Sequence, residues 1–156
     1  MDEFKLCVPA KVYEALVSTQ GAYYEGLSGT GRRKIADDVL SQAKADQQAA
    51  LLQRYASLQD RNVLEIGTGL GTNLITWMRS YRADMVGIEP DAFGFDSSFK
   101  LARELAMANG IDPERIVNGT GESLPFENDA FDIVFSANVL EHTQEPEKVL
   151  REAMRV

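Results

Sequence analysis

An α/β fold built on a parallel sheet is what this sequence predicts, and three observations carry the prediction. Short apolar runs alternate with stretches of helical periodicity: NVLEI precedes NLITWMRSY, DMVGIE precedes SSFKLARELAMA, and FDIVFS precedes PEKVLREAMRV. Repetition of strand then helix makes the strands parallel and joins them by right-handed crossovers. The runs are apolar with little alternation, as strands covered on both faces require. Between the first run and its helix stand three glycines at alternate positions, Gly67, Gly69 and Gly71. Glycines there let the chain turn tightly and let a ligand approach the backbone at a helix start.

Residues 1–58 read as a helical cap. Val12, Leu16 and Val17 give a short helical pattern, and the turn-rich GAYYEGLSGTG that follows, with four glycines, reads as a loop. Tyr23 and Tyr24 within it read as packing aromatics. From Arg32 to Leu58 apolar residues recur at helical spacing (Ile35, Val39, Leu40, Ala43, Leu51, Leu52, Tyr55 and Leu58), predicting a long helix with a break near Lys44 to Gln48. This helix is expected to cover one face of the sheet.

Residues 59–156 read as the sheet-forming part. The first strand, loop and helix occupy Asn62 onward, with Leu74, Trp77, Met78 and Tyr81 on the apolar face of the helix. DMVGIE is the second strand. PDAFGFD connects it to a helix through Leu101, Leu105 and Ala106, capped by Ser97 or Ser98 and ended by Asn109-Gly110. RIVN is the third strand, GTGESLPFENDA a loop, and FDIVFS the fourth strand. After ANVLEHTQE a last helix opens at Pro146, a favoured first-turn residue. Parallel sheets bind ligands at the carboxyl ends of their strands, where the strand order reverses. Each candidate site residue named below falls at such an end.

Composition narrows the functions. The formal net charge of -8 argues against a general affinity for nucleic acid, which needs clustered Lys and Arg, and suits a cationic ligand. Cys7 is the only cysteine, so neither an intrachain disulfide nor a cysteine zinc site is expected, and no metal site is read elsewhere. The start, MDEFKLCVPAK, lacks the pattern of a signal peptide, and no apolar run approaches membrane-spanning length. A cytoplasmic location is expected.

The glycine loop itself discriminates between ligands. A dinucleotide site wants G-x-G-x-x-G, whereas the spacing here is G-x-G-x-G, with Thr72 where the last glycine would fall. Glu65, two residues before the first glycine, would face a pyrophosphate unfavourably and an ammonium group favourably. With those residues in view, the sequence resembles the class I S-adenosylmethionine-dependent methyltransferases, in particular the small-molecule methyltransferase domains. VLEIGTGLG is similar to their first motif, GIEPD to their second, and GTGESLPFENDAFDIVFSANVLEH with EPEKVLREAMRV to the segment through strand four. The likeness covers about residues 60 to 156.

That resemblance implies a Rossmann-like parallel sheet of the class I methyltransferase type, present through about strand four, behind the helical N-terminal cap. It implies S-adenosylmethionine as cofactor. Gly67, Thr68, Gly69 and Gly71 would approach its methionine portion, and Glu65 would accept from its amino group. Glu89, followed by Pro90, would hold the ribose hydroxyls with its two acceptor oxygens. The loop after strand three would hold the adenine; Thr120 stands where the family usually has an acid, with Gly121 and Glu122 as further candidates. Glu122 reads equally as an exposed acid, and Asn138, beside the sulfur end, equally as a turn residue. His142, the only histidine, has the pKa range of a general base but reads first as a polar residue before a helix.

The implied reaction is methyl transfer to O, N or C of a small molecule by in-line displacement. A noncatalytic cofactor- or partner-binding half domain is the alternative, with a nicotinamide-dependent oxidoreductase behind it. The family's sheet has more strands than the four read here, so FDIVFS is expected to be an apolar edge that another copy or a partner chain covers.

Overall fold

The computed structural model describes residues 3–23, 28–91 and 98–156. Three helices come first: α1 (Ala10–Tyr23), α2 (Gly29–Val39) and α3 (Gln42–Leu52). Then β1 (Asn62–Ile66), α4 (Thr72–Tyr81), β2 (Asp84–Glu89), α5 (Ser98–Ala108), β3 (Ile116–Asn118), β4 (Ile133–Ser136) and α6 (Pro146–Arg155) follow in turn. The strands form one sheet in the order β3-β2-β1-β4, and every neighbouring pair is parallel. The expected α/β architecture is therefore present. The chain steps outward from β1 to β3 and returns to the other side of β1 for β4, so the order reverses between β1 and β4.

Two features of the cap differ from the sequence reading. GAYYEGLSGTG is not a single loop, because α1 continues through Gly21 to Tyr23 and α2 begins at Gly29. Ser28 explains the second start: its side-chain oxygen accepts the N–H of Gly31 at 3.1 Å, satisfying a donor that a helix start leaves unpaired. The break in the long helix comes at Leu40–Ser41, ahead of Lys44, where Ser41 caps α3 by accepting the N–H of Lys44. Tyr24 and most of the connection after Pro90, with Ser97, lie outside the described residues.

Strand residues alternate between two cores, as a period of two requires. Val63 and Met85 pack with α4, α5 and the cap residues Val12, Leu16, Ala36, Ala45 and Ala49. Leu64, Ile66 and Ile88 pack on the other face with Leu124, Val149 and Val156. Trp77 joins the cap to the sheet: it is fully buried, donates from Nε1 to the Ala45 carbonyl at 2.8 Å, and meets Phe135 edge-on at 5.0 Å.

Alternation also places the acids. Glu65 shares its face with Val63, and Gly87 and Glu89 share theirs with Met85, so both carboxylates face the α4 and cap layer. Glu65 pairs with Gly87 across β1 and β2.

Candidate functional site

β1 ends in a loop whose shape the glycines make possible. Gly67, Gly69 and Gly71 have φ of +70, +55 and +73 degrees, a region in which other side chains are strained. The N–H groups of Gly67 and Thr68 both donate to the Ile88 carbonyl, which anchors the loop to the end of β2. A Cβ on Gly67 would lie 2.3 Å from Val139 Cγ2, so the turn after β4 presses on the loop there. At Gly69 a Cβ would meet nothing within 4 Å. Gly71 is the left-handed residue that opens α4.

Glu65 is 4% exposed, and the loop closes around it. Thr68 Oγ1 donates to Oε2 at 2.6 Å and Asn73 Nδ2 to Oε1 at 2.7 Å. Burial pushes the carboxyl up to about 7; the Thr68 and Asn73 bonds oppose this, and the nearby Glu89 charge reinforces it. Gly87 is required here, since a Cβ on it would lie 2.7 Å from the Thr68 side chain. Glu89 is 9% exposed and accepts the Gly69 N–H at 2.9 Å. Its carboxyl is also raised, by burial, with the Gly69 bond opposing.

Two buried carboxylates thus grip one loop, and among the described residues neither forms an ion pair. Burying a charge without a partner is costly, so a cation bound at this place relieves both acids. Together with the open side of Gly69, this arrangement fits a positively charged nucleotide and disfavours a pyrophosphate. Thr72, which breaks the dinucleotide spacing, donates from Oγ1 to the Val39 carbonyl at 3.0 Å and ties α4 to the end of α2.

A cavity of about 240 Å³ opens on this loop. Glu65, Gly67, Thr68, Gly69 and Asn73 form one wall, the α2–α3 corner with Asp38, Ser41, Lys44 and Gln48 another, and Ala137 with Asn138 a third. Asn138 takes φ +56 degrees in the turn after β4. It therefore stands at the reversal in strand order.

The other sequence candidates have different places. Glu89 and Gly71 adjoin the loop without lining the cavity, and Pro90 follows β2, half-buried. Thr120 is exposed and bridges to Ser123 in the turn after β3, with Glu122 half-buried beside it. Gly121 has a packing reason for its identity, since a Cβ would lie 2.8 Å from Ile66 Cγ2 and 3.0 Å from Val149 Cγ1. His142 is exposed in a short 3-10 turn, Leu140–His142, away from the cavity lining. Sequence reasoning missed Asn73 and the α2–α3 corner. Asn73 carried a faint signal as a polar residue in the first turn after the glycines; the corner carried none, because only packing brings it to the loop.

Comparison with known proteins places the chain in a family. Residues 64–156 match the family model described as a methyltransferase domain. Ajmaline N-methyltransferase of Rauvolfia serpentina is 33% identical over 98 residues, covering 62% of this chain and 32% of that protein. Norajmaline N-methyltransferase of the same plant is 30% identical over 124 residues, covering 74% of this chain and 41% of that protein. The chain thus spans well under half the length of these relatives. The crystal structure of the YcgJ protein of Bacillus subtilis superposes with a TM-score of 0.60 at 27% identity, covering 71% of this chain and 46% of that one. The chain belongs to the methyltransferase domain family, of the class I S-adenosylmethionine-dependent kind, and S-adenosylmethionine is the cofactor expected of it.

Proposed function

We propose that this chain carries the cofactor-binding part of an enzyme that transfers a methyl group to a small molecule. The observation that carries the reading is the pair of buried carboxylates, Glu65 and Glu89, bonded to the glycine loop with no cationic partner among the described residues. When bound, S-adenosylmethionine supplies a methyl group activated by a sulfonium. The chain's residues bind and orient. Gly67 to Gly71 offer bare backbone, Glu65 and its Thr68 and Asn73 partners face the amino-acid portion, and Glu89 takes the ribose.

Thr120, Gly121 and Glu122 are assigned to the adenine side and Asn138 to the sulfur end. Residues 59–156 form the cofactor part, and residues 1–58 the cap that closes the cavity through the α2–α3 corner. Most of the rate would come from holding two reactants in line, more than from removing the acceptor's proton, so His142 is read as a polar residue before α6 ahead of a general base.

The acceptor atom is O, N or C. Two relatives are named as N-methyltransferases, which supports testing amine acceptors first. No helix among the described residues is long and apolar enough to cross a membrane. A cytoplasmic location, and a partner surface at β4, belong to the same reading.

Calorimetric titration with S-adenosylhomocysteine tests it. Saturable heat is expected for the parent chain, and Glu89→Ala should abolish it. A variant that binds as the parent does removes the ribose assignment, and a parent that binds no adenosyl nucleotide removes the reading altogether.

A further inference from the structure

The turn after β4 is fastened to the end of β1 by its own side chains. Ser136 Oγ, at the last residue of β4, donates to the Ile66 carbonyl at 3.3 Å. Asn138 then reverses the chain with φ +56 degrees, a region that few residues other than glycine adopt and that asparagine tolerates. Val139 follows, and its side chain comes back onto Gly67: a Cβ built on that glycine would overlap Cγ2 and lie 3.3 Å from Cγ1 and 3.4 Å from Cβ. The same half-buried side chain packs on the core around Ile66 and Val149. Its carbonyl accepts the His142 N–H at 2.8 Å, which starts the 3-10 turn Leu140–His142. One residue, stiff at χ1 because it branches at Cβ, therefore touches the glycine loop and anchors the turn.

We infer that Val139 is a positioning residue, a key through which the shape of the glycine loop sets the turn after β4. The inference rests on the proposed function for what sits on the loop, an adenosyl nucleotide. Gly67 lines the cavity on one side, and Ala137 with Asn138 forms another wall, while Val139 itself lies outside the lining. A shift of Gly67 would push on Val139, and Asn138 is the next residue along the chain. A nucleotide that holds Gly67 still therefore also holds the wall of Ala137 and Asn138, without needing to touch it. Coupling of this kind is a free energy shared by two segments, so filling the loop must steady the turn.

Hydrogen exchange at the His142 and Thr143 amides, which donate to the Val139 and Leu140 carbonyls, reads the turn. In the parent chain, saturating S-adenosylhomocysteine should slow both by about fivefold to tenfold, the low end of coupling between sites. In Val139→Ala that slowing should fall below about twofold, and Val139→Ile, which keeps both methyl groups against Gly67, should restore it. Affinity for S-adenosylhomocysteine should stay within about twofold of the parent in Val139→Ala, since no lining group is removed. Slowing that persists undiminished in Val139→Ala overturns the inference, because the ligand then holds the turn by itself. So does a parent that binds S-adenosylhomocysteine with no change at these amides. Gly67→Ala in both backgrounds supplies a second measurement, since the strain of a side chain at φ +70 degrees is common to the two and cancels in the cycle. The substitution should weaken S-adenosylhomocysteine about fivefold more in the parent than in the Val139→Ala background, and equal weakening overturns the inference. Failure of the parent to bind S-adenosylhomocysteine would instead overturn the methyltransferase reading.

Discussion

Glu65 changes its state near neutral pH, because burial holds its carboxyl up to about 7. Between its ordinary range near 4.5 and that value, the native chain keeps a proton that the unfolded chain has lost. Stability contributed by this group is present below pH 4.5 and is lost as pH rises toward 7, by up to about 3 kcal/mol. Glu89 is raised too and acts in the same direction. Glu152 acts oppositely and at lower pH: Arg155 beside it, with the Leu124 N–H, holds it down at about 2, so its contribution is lost as pH falls from 4.5. Urea unfolding at a series of pH values should therefore show stability declining between pH 5 and 7 in the parent, and Glu65→Gln should flatten that decline. A cation at Glu65 favours the ionised form, so S-adenosylhomocysteine binding near pH 7 should release a proton, seen as a dependence of the heat on buffer ionisation enthalpy. An identical pH slope in Glu65→Gln would show that the proton is held elsewhere.

At the scale of elements, the tie between cap and sheet is a small set of polar bonds laid over a shared apolar core. Thr72 Oγ1 holds the Val39 carbonyl, Trp77 Nε1 the Ala45 carbonyl, and Tyr81 donates to Asp46 at 3.0 Å, all from α4 to the α2–α3 corner. Thr72 is 8% exposed, and its replacement by Val takes the donor away from the Val39 carbonyl. The expected cost is about 1–2 kcal/mol. Hydrogen exchange should show faster opening of α2 and α3 in Thr72→Val, with α5 and α6 unchanged. Uniform acceleration across all helices would mean that the bond stabilises the whole fold and does not tether the cap. The same element view explains why the loop reading of GAYYEGLSGTG differed from the structure. Its glycines pointed to a turn, but Ser28 offered a cap, and the glycines that follow it were absorbed into a helix start.

At the scale of the molecule, β4 pairs with β1 on one side and with no other strand among the described residues. Beside it Phe131, Val134, Leu150, Ala153, Met154 and Val156, together with Asp129 and Asp132, line a groove, with Leu150 52% and Met154 87% exposed. Open strand edges next to exposed apolar side chains favour association with another chain. Sedimentation velocity should show the parent associating as its concentration rises, and Leu150→Lys with Met154→Lys should shift it toward monomer. S-adenosylhomocysteine affinity should be unchanged in the double variant, since neither side chain approaches the cavity. Continued association would place the contact elsewhere on the surface.

The sequence by itself determined the parallel α/β order, the turn at Gly67 to Gly71, and the acids at the ends of β1 and β2. These are local properties: period and glycine spacing act over a few residues, and a strand that runs into a glycine loop fixes where its last side chains stand. Only tertiary structure decided what surrounds them. Packing of the cap brought Lys44 and Asp38 to the cavity and turned Thr72 into a tether, while packing on the opposite face of the sheet gave Gly121 to the contact between Ile66 and Val149. Those roles arise between segments far apart in the chain, and no local pattern specifies the distance that separates them in space.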